Sequence, residues 1–268
     1  MIVTIDDALD PRLNAFRWRE RQLTTIAQRK SALNEGLFIA EGDLVVHRAL
    51  EAGCVPDVVL CDPKCATEFS DAVHTAGGTT LVASADIRRE VTGLGVPLDA
   101  IGVFKRPPLV SSDDLIAQST RLIVLDCVDN PSNVGSIART AAALGWDGLL
   151  LDSTSSDPLS RRALRVSMGT TFKLGFARFA STNEILAQLH HSGFATIGLT
   201  PHHESRDVTN LRSIQIEGKR ALVLGSERQG LSDASLELCT QLANITMADG
   251  VDSLNVASAS AIACFALL

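Results

Sequence analysis

No run of apolar residues in this chain reaches the roughly 20 that a membrane-spanning helix needs, which excludes a helical span. The start, Met1-Ile2-Val3-Thr4-Ile5-Asp6-Asp7, lacks both the basic residues and the apolar core of a secretion signal, so the expected location is the cytoplasm. Cys-x-x-Cys is missing as well. Cys54, Cys61, Cys65, Cys127, Cys239 and Cys264 are scattered, and no second pair or nearby His completes a zinc set around Cys61 and Cys65. The reading is reduced, mostly buried thiols and no metal. Internal repeats and low-complexity tracts are absent.

Three common catalytic signatures are also lacking. There is no G-x-G-x-x-G dinucleotide fingerprint, and no nucleophile elbow stands near the histidines. Gly225 and Gly230 bound a loop after a strand, but Leu231 stands where a phosphate loop needs Lys, which rejects an ATP site. His190-His191 and His202-His203 sit in polar surroundings that suit solvated side chains.

What is present is a globular composition, 46% hydrophobic and 21% charged. The net charge of −7 argues against nucleic acid, because phosphate contacts need Lys and Arg. Local runs point the other way. Arg12, Arg17, Arg19, Arg21, Arg29 and Lys30 face the single acid Glu20, and Arg161, Arg162, Arg165, Lys173 and Arg178 form a second run. Each is either a solvated face or a phosphate-contacting one.

Residues 1–30 read as one polar, Arg-rich helix or arm. From Gly36 to Phe104 short strands (Leu37–Ala40, Val55–Cys61, Thr79–Val82) alternate with helices (Asp43–Ala52, Cys65–Ala76), an α/β unit spanning 31–108. Lys105-Arg106-Pro107-Pro108 and the polar run after it mark a linker, placed at 109–120. From 121 to 268 the alternation resumes. Leu122-Ile123-Val124-Leu125 is continuously apolar, as a strand covered on both faces of a parallel sheet should be. A helix over Asn133–Gly145 and strands at Gly148–Leu151, Ala195–Leu199, Ala221–Leu224 and Ala243–Thr246 follow. Leu254–Leu268 is small and apolar almost all round, a helix buried in the core or against a partner subunit. Its abrupt stop on Leu267-Leu268 leaves room for a longer natural chain.

Three segments of the C-terminal part carry the chemistry. The first, Asp129 to Thr140, opens a helix in which Asn133 can cap or hold a ligand. Arg139 lies about 140° round from Val134, away from the packed stripe, and can reach a cleft at the carboxyl end of the sheet. The second runs from buried Ala221-Leu222-Val223-Leu224 into Gly225-Ser226-Glu227-Arg228-Gln229-Gly230-Leu231-Ser232, a backbone-exposing turn with one carboxylate. In the third, Asn244 to Ala259, a strand end leads through a polar loop to a helix with Ser253 and Asn255 at its entrance. Capping explains Ser253, and explains Asn255 less well.

In order, content and separation these segments closely resemble the three motifs of the SpoU (TrmH-type) family of RNA ribose methyltransferases. The resemblance covers about 120–268, and Phe38-Ile39-Ala40-Glu41-Gly42 is similar to the start of that family's substrate-binding domain. One departure is Thr246, where the family often has Pro. The resemblance implies an α/β chain: a C-terminal parallel-sheet domain threaded into a deep trefoil knot, plus a smaller N-terminal α/β domain that binds RNA. It implies a homodimer with the active site near the subunit interface, S-adenosylmethionine as cofactor, and no metal. The implied catalytic residues are Arg139, Asn133, Glu227, Ser253 and Asn255. The implied cofactor holders are Leu199, Thr200, Leu224, Gly225, Ile245, Met247 and Leu254. The expected reaction is methyl transfer to a ribose 2′-hydroxyl, on ribosomal RNA before transfer RNA. The alternatives are a non-catalytic RNA binder on the same fold, or a nucleotide-dependent enzyme on a doubly wound fold.

Overall fold

The computed structural model describes residues 2–31 and 33–268. The chain divides into two compact units. Residues 1–109 group with Leu159–Phe172, and Val110–Pro158 groups with Lys173–Leu268. The stretch Leu159–Phe172, placed with the C-terminal part by sequence order, thus belongs to the first unit.

The first unit starts with β1 (Ile2–Ile5), followed by the short helices α1 (Asn14–Arg17), α2 (Glu20–Leu23) and α3 (Ile26–Lys30). Next come β2 (Leu37–Glu41), α4 (Asp43–Glu51), β3 (Pro56–Cys61), α5 (Ala66–Thr75), β4 (Thr79–Ala83), α6 (Ala85–Thr92) and β5 (Ala100–Lys105). The five strands form one sheet in the order β1-β4-β3-β5-β2. The expectation of a single helix or arm over 1–30 is corrected here. Ile2-Val3-Thr4-Ile5 is β-branched at every position and pairs in parallel along β4, Ile2 with Thr80 through Ile5 with Ala83. Leu13, Phe16 and Leu23 then fill a core with Ile39, Leu60 and Leu81, which breaks the segment into short turns.

Much of the basic character is engaged inside this unit. Arg12 pairs with Asp10 at 2.5 Å and holds that carboxyl down at about 2. Arg17 donates to the Ala8 carbonyl at 2.5 Å. The Lys30 side chain lies outside the described part. On the Leu159–Phe172 stretch, Arg161 and Arg165 close on buried Glu41 at 3.2 and 3.0 Å. Arg161 also donates to the carbonyls of Phe16 and Trp18 at 3.0 and 2.5 Å. A buried carboxylate needs such partners, since an unpaired one would be costly to desolvate.

The second unit holds α7 (Ser112–Gln118), β6 (Arg121–Asp126), α8 (Pro131–Ala143) and β7 (Gly148–Leu151). After the excursion carrying α9 (Arg161–Ser167) come β8 (Gly175–Arg178), α10 (Thr182–His191), β9 (Ala195–Leu199), β10 (Val208–Asn210), β11 (Arg220–Gly225), α11 (Asp233–Leu238), β12 (Gln241–Asn244) and α12 (Val256–Ala266). The seven strands run in the order β10-β12-β9-β11-β6-β7-β8, and every pairing is parallel. All carboxyl ends therefore lie along one edge.

The continuous apolar strands are covered on both faces, as their composition requires. Ile123, Leu125, Leu222 and Leu224 join the core under α8 and α12. Leu122, Val124, Ala221 and Val223 join the opposite core with α10 residues Ile185, Leu186 and Leu189. The buried-helix reading of Leu254–Leu268 holds for one face only. Val256, Ser260, Ala263, Cys264 and Leu267 are buried, while Ile262 and Phe265 are 43% and 69% exposed. Among the described residues, no helix is long and apolar enough to cross a membrane. No group of three His, Cys, Asp or Glu among them could hold a metal ion.

Candidate active site

A cleft of about 540 Å³ opens at the carboxyl edge of the seven-stranded sheet. Three adjacent strands build it, each through the loop that leaves it. β9 contributes Leu199, Thr200 and Pro201. β11 contributes Leu224 to Gly230. Ile245 and Met247 follow β12, and Ser253 to Val256 with Ala259 close the wall at the start of α12. Placement outside the strand ends suits a ligand site in an open parallel sheet.

All seven expected cofactor holders, Leu199, Thr200, Leu224, Gly225, Ile245, Met247 and Leu254, line this one cleft. So do Glu227, Ser253 and Asn255. The wall is apolar where Leu199, Leu224, Ile245 and Met247 face it and polar along the Ser226–Gly230 backbone. Gly225 makes that wall possible. A Cβ there would stand 2.1 Å from the Gly230 carbonyl and 2.3 Å from the Leu231 nitrogen. The loop doubles back on itself, with Ser226 and Gly230 exchanging backbone hydrogen bonds at 3.0 Å each way.

Asn255 joins the three motifs. Its Oδ1 accepts from the backbone N–H of Ala257 at 2.9 Å and of Ser258 at 3.4 Å, capping α12. Its Nδ2 donates to Asn133 Oδ1 at 3.1 Å and to Glu227 Oε1 at 2.5 Å. One planar amide thus fixes a helix start and ties together residues 122 and 28 positions away. The capping assignment is thereby reversed: Asn255 is the cap, and Ser253 lines the cleft. The cap of α8 is likewise Asn130, accepting from Ser132 N–H at 2.9 Å, with Pro131 in the first turn. Asn133 is outside the cleft lining, 6% exposed, and its oxygen accepts from Asn255, which does line the cleft.

Arg139 is placed differently. It is exposed on α8 and outside the lining of its own cleft. The lining residues not expected from the sequence are Pro201, Ser226, Arg228, Gln229, Gly230, Val256 and Ala259. Ser226 lay inside the quoted motif, but nothing local marks Pro201, and Ala259 reads as packing.

Residues 120–265 match the model of the SpoU rRNA methylase family. A protein of Mycobacterium bovis, named an uncharacterized tRNA/rRNA methyltransferase, is 34% identical over 260 residues, covering 97% of this chain and 89% of that one. The chain belongs to the SpoU rRNA methylase family. Among solved structures, the AdoMet-bound rRNA methyltransferase from Sinorhizobium meliloti has a TM-score of 0.83 at 24% identity, covering 99% of this chain and 97% of that one. The SpoU methyltransferase AviRb from Streptomyces viridochromogenes, in complex with AdoMet, has a TM-score of 0.76 at 21% identity, covering 95% of each chain. At such identities the likeness is one of fold, and it extends over both units of this SpoU-family protein.

Proposed function

We propose that this SpoU-family protein transfers the methyl group of S-adenosylmethionine to a ribose 2′-hydroxyl of RNA, with ribosomal RNA favoured over transfer RNA. The observation that carries the reading is the Asn133–Asn255–Glu227 junction at the rim of a cleft of suitable size. The volume lies within the range of about 300–1,000 Å³ usual for small-molecule sites. Its apolar side chains suit an adenine face, and the exposed loop backbone supplies hydrogen-bonding groups. The close approach at Gly225, where any side chain would collide with the Gly230–Leu231 backbone, lets the loop fold back beside the cleft.

When bound, S-adenosylmethionine supplies an electrophilic methyl carbon on a sulfonium centre; the chain supplies placement and charge. Leu199, Leu224, Ile245, Met247 and Leu254 would hold the adenosine side and exclude water. Glu227 and Asn255, fixed by their mutual hydrogen bond, would orient the rim. Ser253 offers a hydroxyl to an incoming sugar or phosphate. A ribose hydroxyl is a weak acid, so its developing negative charge needs a cation. A guanidinium keeps its proton at physiological pH, which makes Arg139 an electrostatic stabiliser rather than a base.

The placement of Arg139 off its own cleft fits a homodimer. The exposed apolar row Ile262 and Phe265 lies on α12, which packs against α8. A second copy covering this row would bury it and bring one chain's Arg139 towards the other's cleft. The deep trefoil knot belongs to the same reading. β11 returns to insert between β6 and β9, and β12 between β9 and β10, as a threaded chain would.

The test is methyl transfer from labelled S-adenosylmethionine to ribosomal and transfer RNA, followed by mass-spectrometric mapping of 2′-O-methyl nucleosides. Arg139→Ala should abolish transfer with donor binding retained. Activity within about tenfold of wild type, about 1.4 kcal/mol in barrier, would remove Arg139 from the mechanism. Absence of donor binding at millimolar concentration in calorimetry would favour a non-catalytic RNA binder.

A further inference from the structure

Asp126 ends β6, outside the cleft lining but in register beside Gly225 of β11, which lines it. It is 1% exposed, and among the described residues no salt bridge reaches it. Its partners are instead uncharged, and those on Oδ2 come from Ser232 and Ser235, just past the cleft loop. Oδ2 accepts from Ser232 N–H at 2.9 Å, Ser232 Oγ at 2.6 Å and Ser235 Oγ at 2.6 Å. Oδ1 faces the Cys127 thiol at 3.6 Å. Three charge-assisted bonds on one oxygen are a strong anchor, since such bonds are about twice as strong as neutral ones.

The anchor acts on the loop that forms the polar wall. The loop's first end is fixed by β11, whose Gly225 pairs with Asp126 itself. Its other end, Ser232, is fixed by the Asp126 carboxylate. Between them lie Ser226 to Leu231, closed by the Ser226–Gly230 bridge and by Gln229 N–H donating to Ser226 Oγ at 3.1 Å. Glu227 at the tip reaches Asn255 only while this loop keeps its course. With both ends pinned on neighbouring strands, the loop has little freedom left. With one end released, its folded-back course rests on the Ser226–Gly230 bridge, the Gln229–Ser226 hydrogen bond and the contact of Glu227 with Asn255.

We infer that Asp126 is a positioning residue that acts through Ser232 and Ser235 to hold the Gly225–Leu231 loop in the shape needed for donor binding. This rests on the methyl-transfer reading for its kinetic consequence, but not for its structural one. If the ordered loop is the binding-competent state, apparent affinity scales with its population. Lowering that population to about a tenth raises the apparent Kd about tenfold. Saturating donor selects the ordered loop and restores turnover.

Two measurements decide it, on Asp126→Asn, which is nearly isosteric, and on the double variant Ser232→Ala with Ser235→Ala, which leaves the carboxylate in place. Hydrogen exchange should speed up at the Ser226 and Gly230 amides in both variants, while β6 and β7 amides stay protected. Steady-state kinetics should give a KM for S-adenosylmethionine raised about tenfold, with kcat within about threefold of wild type. A general loss of structure would instead lower kcat per mole and leave KM unchanged, and that result overturns the inference. Unchanged exchange at Ser226 and Gly230 overturns it too. Wild-type protein that neither binds the donor nor methylates RNA would refute the proposed activity, while the exchange experiment would still decide whether Asp126 holds the loop.

Discussion

Alanine at position 225 separates steric from conformational demands in the cleft loop. A Cβ on Gly225 meets the Gly230 carbonyl carbon and oxygen at 2.1 Å and the Leu231 nitrogen at 2.3 Å. These are backbone atoms, so no side-chain rotation relieves the clash. The returning arm of the loop must retreat by at least 1.3 Å, from 2.1 to 3.4 Å, to reach an ordinary contact. Overpacking of this kind costs about 1–3 kcal/mol. At roughly 2–4 °C per kcal/mol for a protein of this size class, Tm should fall by about 2–12 °C. Donor affinity should fall at least tenfold, about 1.4 kcal/mol, because the retreating arm carries the polar wall. Gly230→Ala is the matched control. Its φ is +70°, but nothing lies within 4 Å of the added carbon. It costs the left-handed penalty of about 1–2 kcal/mol without moving the wall, so affinity should stay within about threefold. Thermal scans and calorimetry with S-adenosylmethionine test the pair. Gly225→Ala binding the donor as wild type does, or Gly230→Ala binding it worse than Gly225→Ala, would refute the role given to this close approach.

Asn255→Asp keeps a good helix cap but replaces the donor to Glu227 and Asn133 with a second carboxylate. It should leave Tm within a few degrees and reduce methyl transfer at least a hundredfold. Asn255→Ala should in addition lose about 1 kcal/mol of capping stability, measured by denaturant melts; equal activity in both variants and wild type would end the site role. Burial pushes the Asp152 carboxyl up, but hydrogen bonds from Ser155 and Thr154 outweigh it and leave the pKa below the ordinary value. A lowered native pKa stabilises above the unfolded value near 3.9 and loses that effect as pH falls through the native one. Asp152→Asn should therefore be less stable than wild type by about 1–3 kcal/mol at pH 7, with the gap narrowing towards pH 3 in urea melts; a constant gap contradicts this. If the proposed dimer forms through α12, Phe265→Asp should halve the mass seen in light scattering and abolish transfer, whereas a mass equal to that of wild type contradicts that interface.

The fully apolar strands were the most legible part of the sequence. Leu122–Leu125 and Ala221–Leu224 could only be covered on both faces, and they are. The first 30 residues misled because their arginines suggest one polar segment, while four β-branched residues at the start found a partner strand some 78 positions away. The helices α6, α7, α9 and α11 were not anticipated, because six to eight residues are too few for an apolar period to stand out. At the site, the resemblance brought together the residues that line the cleft, but the capping roles of Asn130 and Asn255 needed coordinates. A side chain that both caps and bridges looks, in sequence, like one that does either. Asp126 was invisible for a related reason. Its partners lie 106 and 109 positions on, and an acid at a strand end has no local signature of what it will hold.

Because every strand of the larger sheet points the same way, its two edges have different freedoms. The edge bearing the cleft is crowded by loops that constrain one another. The opposite edge is made of turns such as Leu144–Asp147, Ser192–Phe194 and Gly218–Lys219, none of which lines the cleft. Fluorophores, affinity tags or inserted peptides belong on that side, where they can report on the molecule without entering its chemistry.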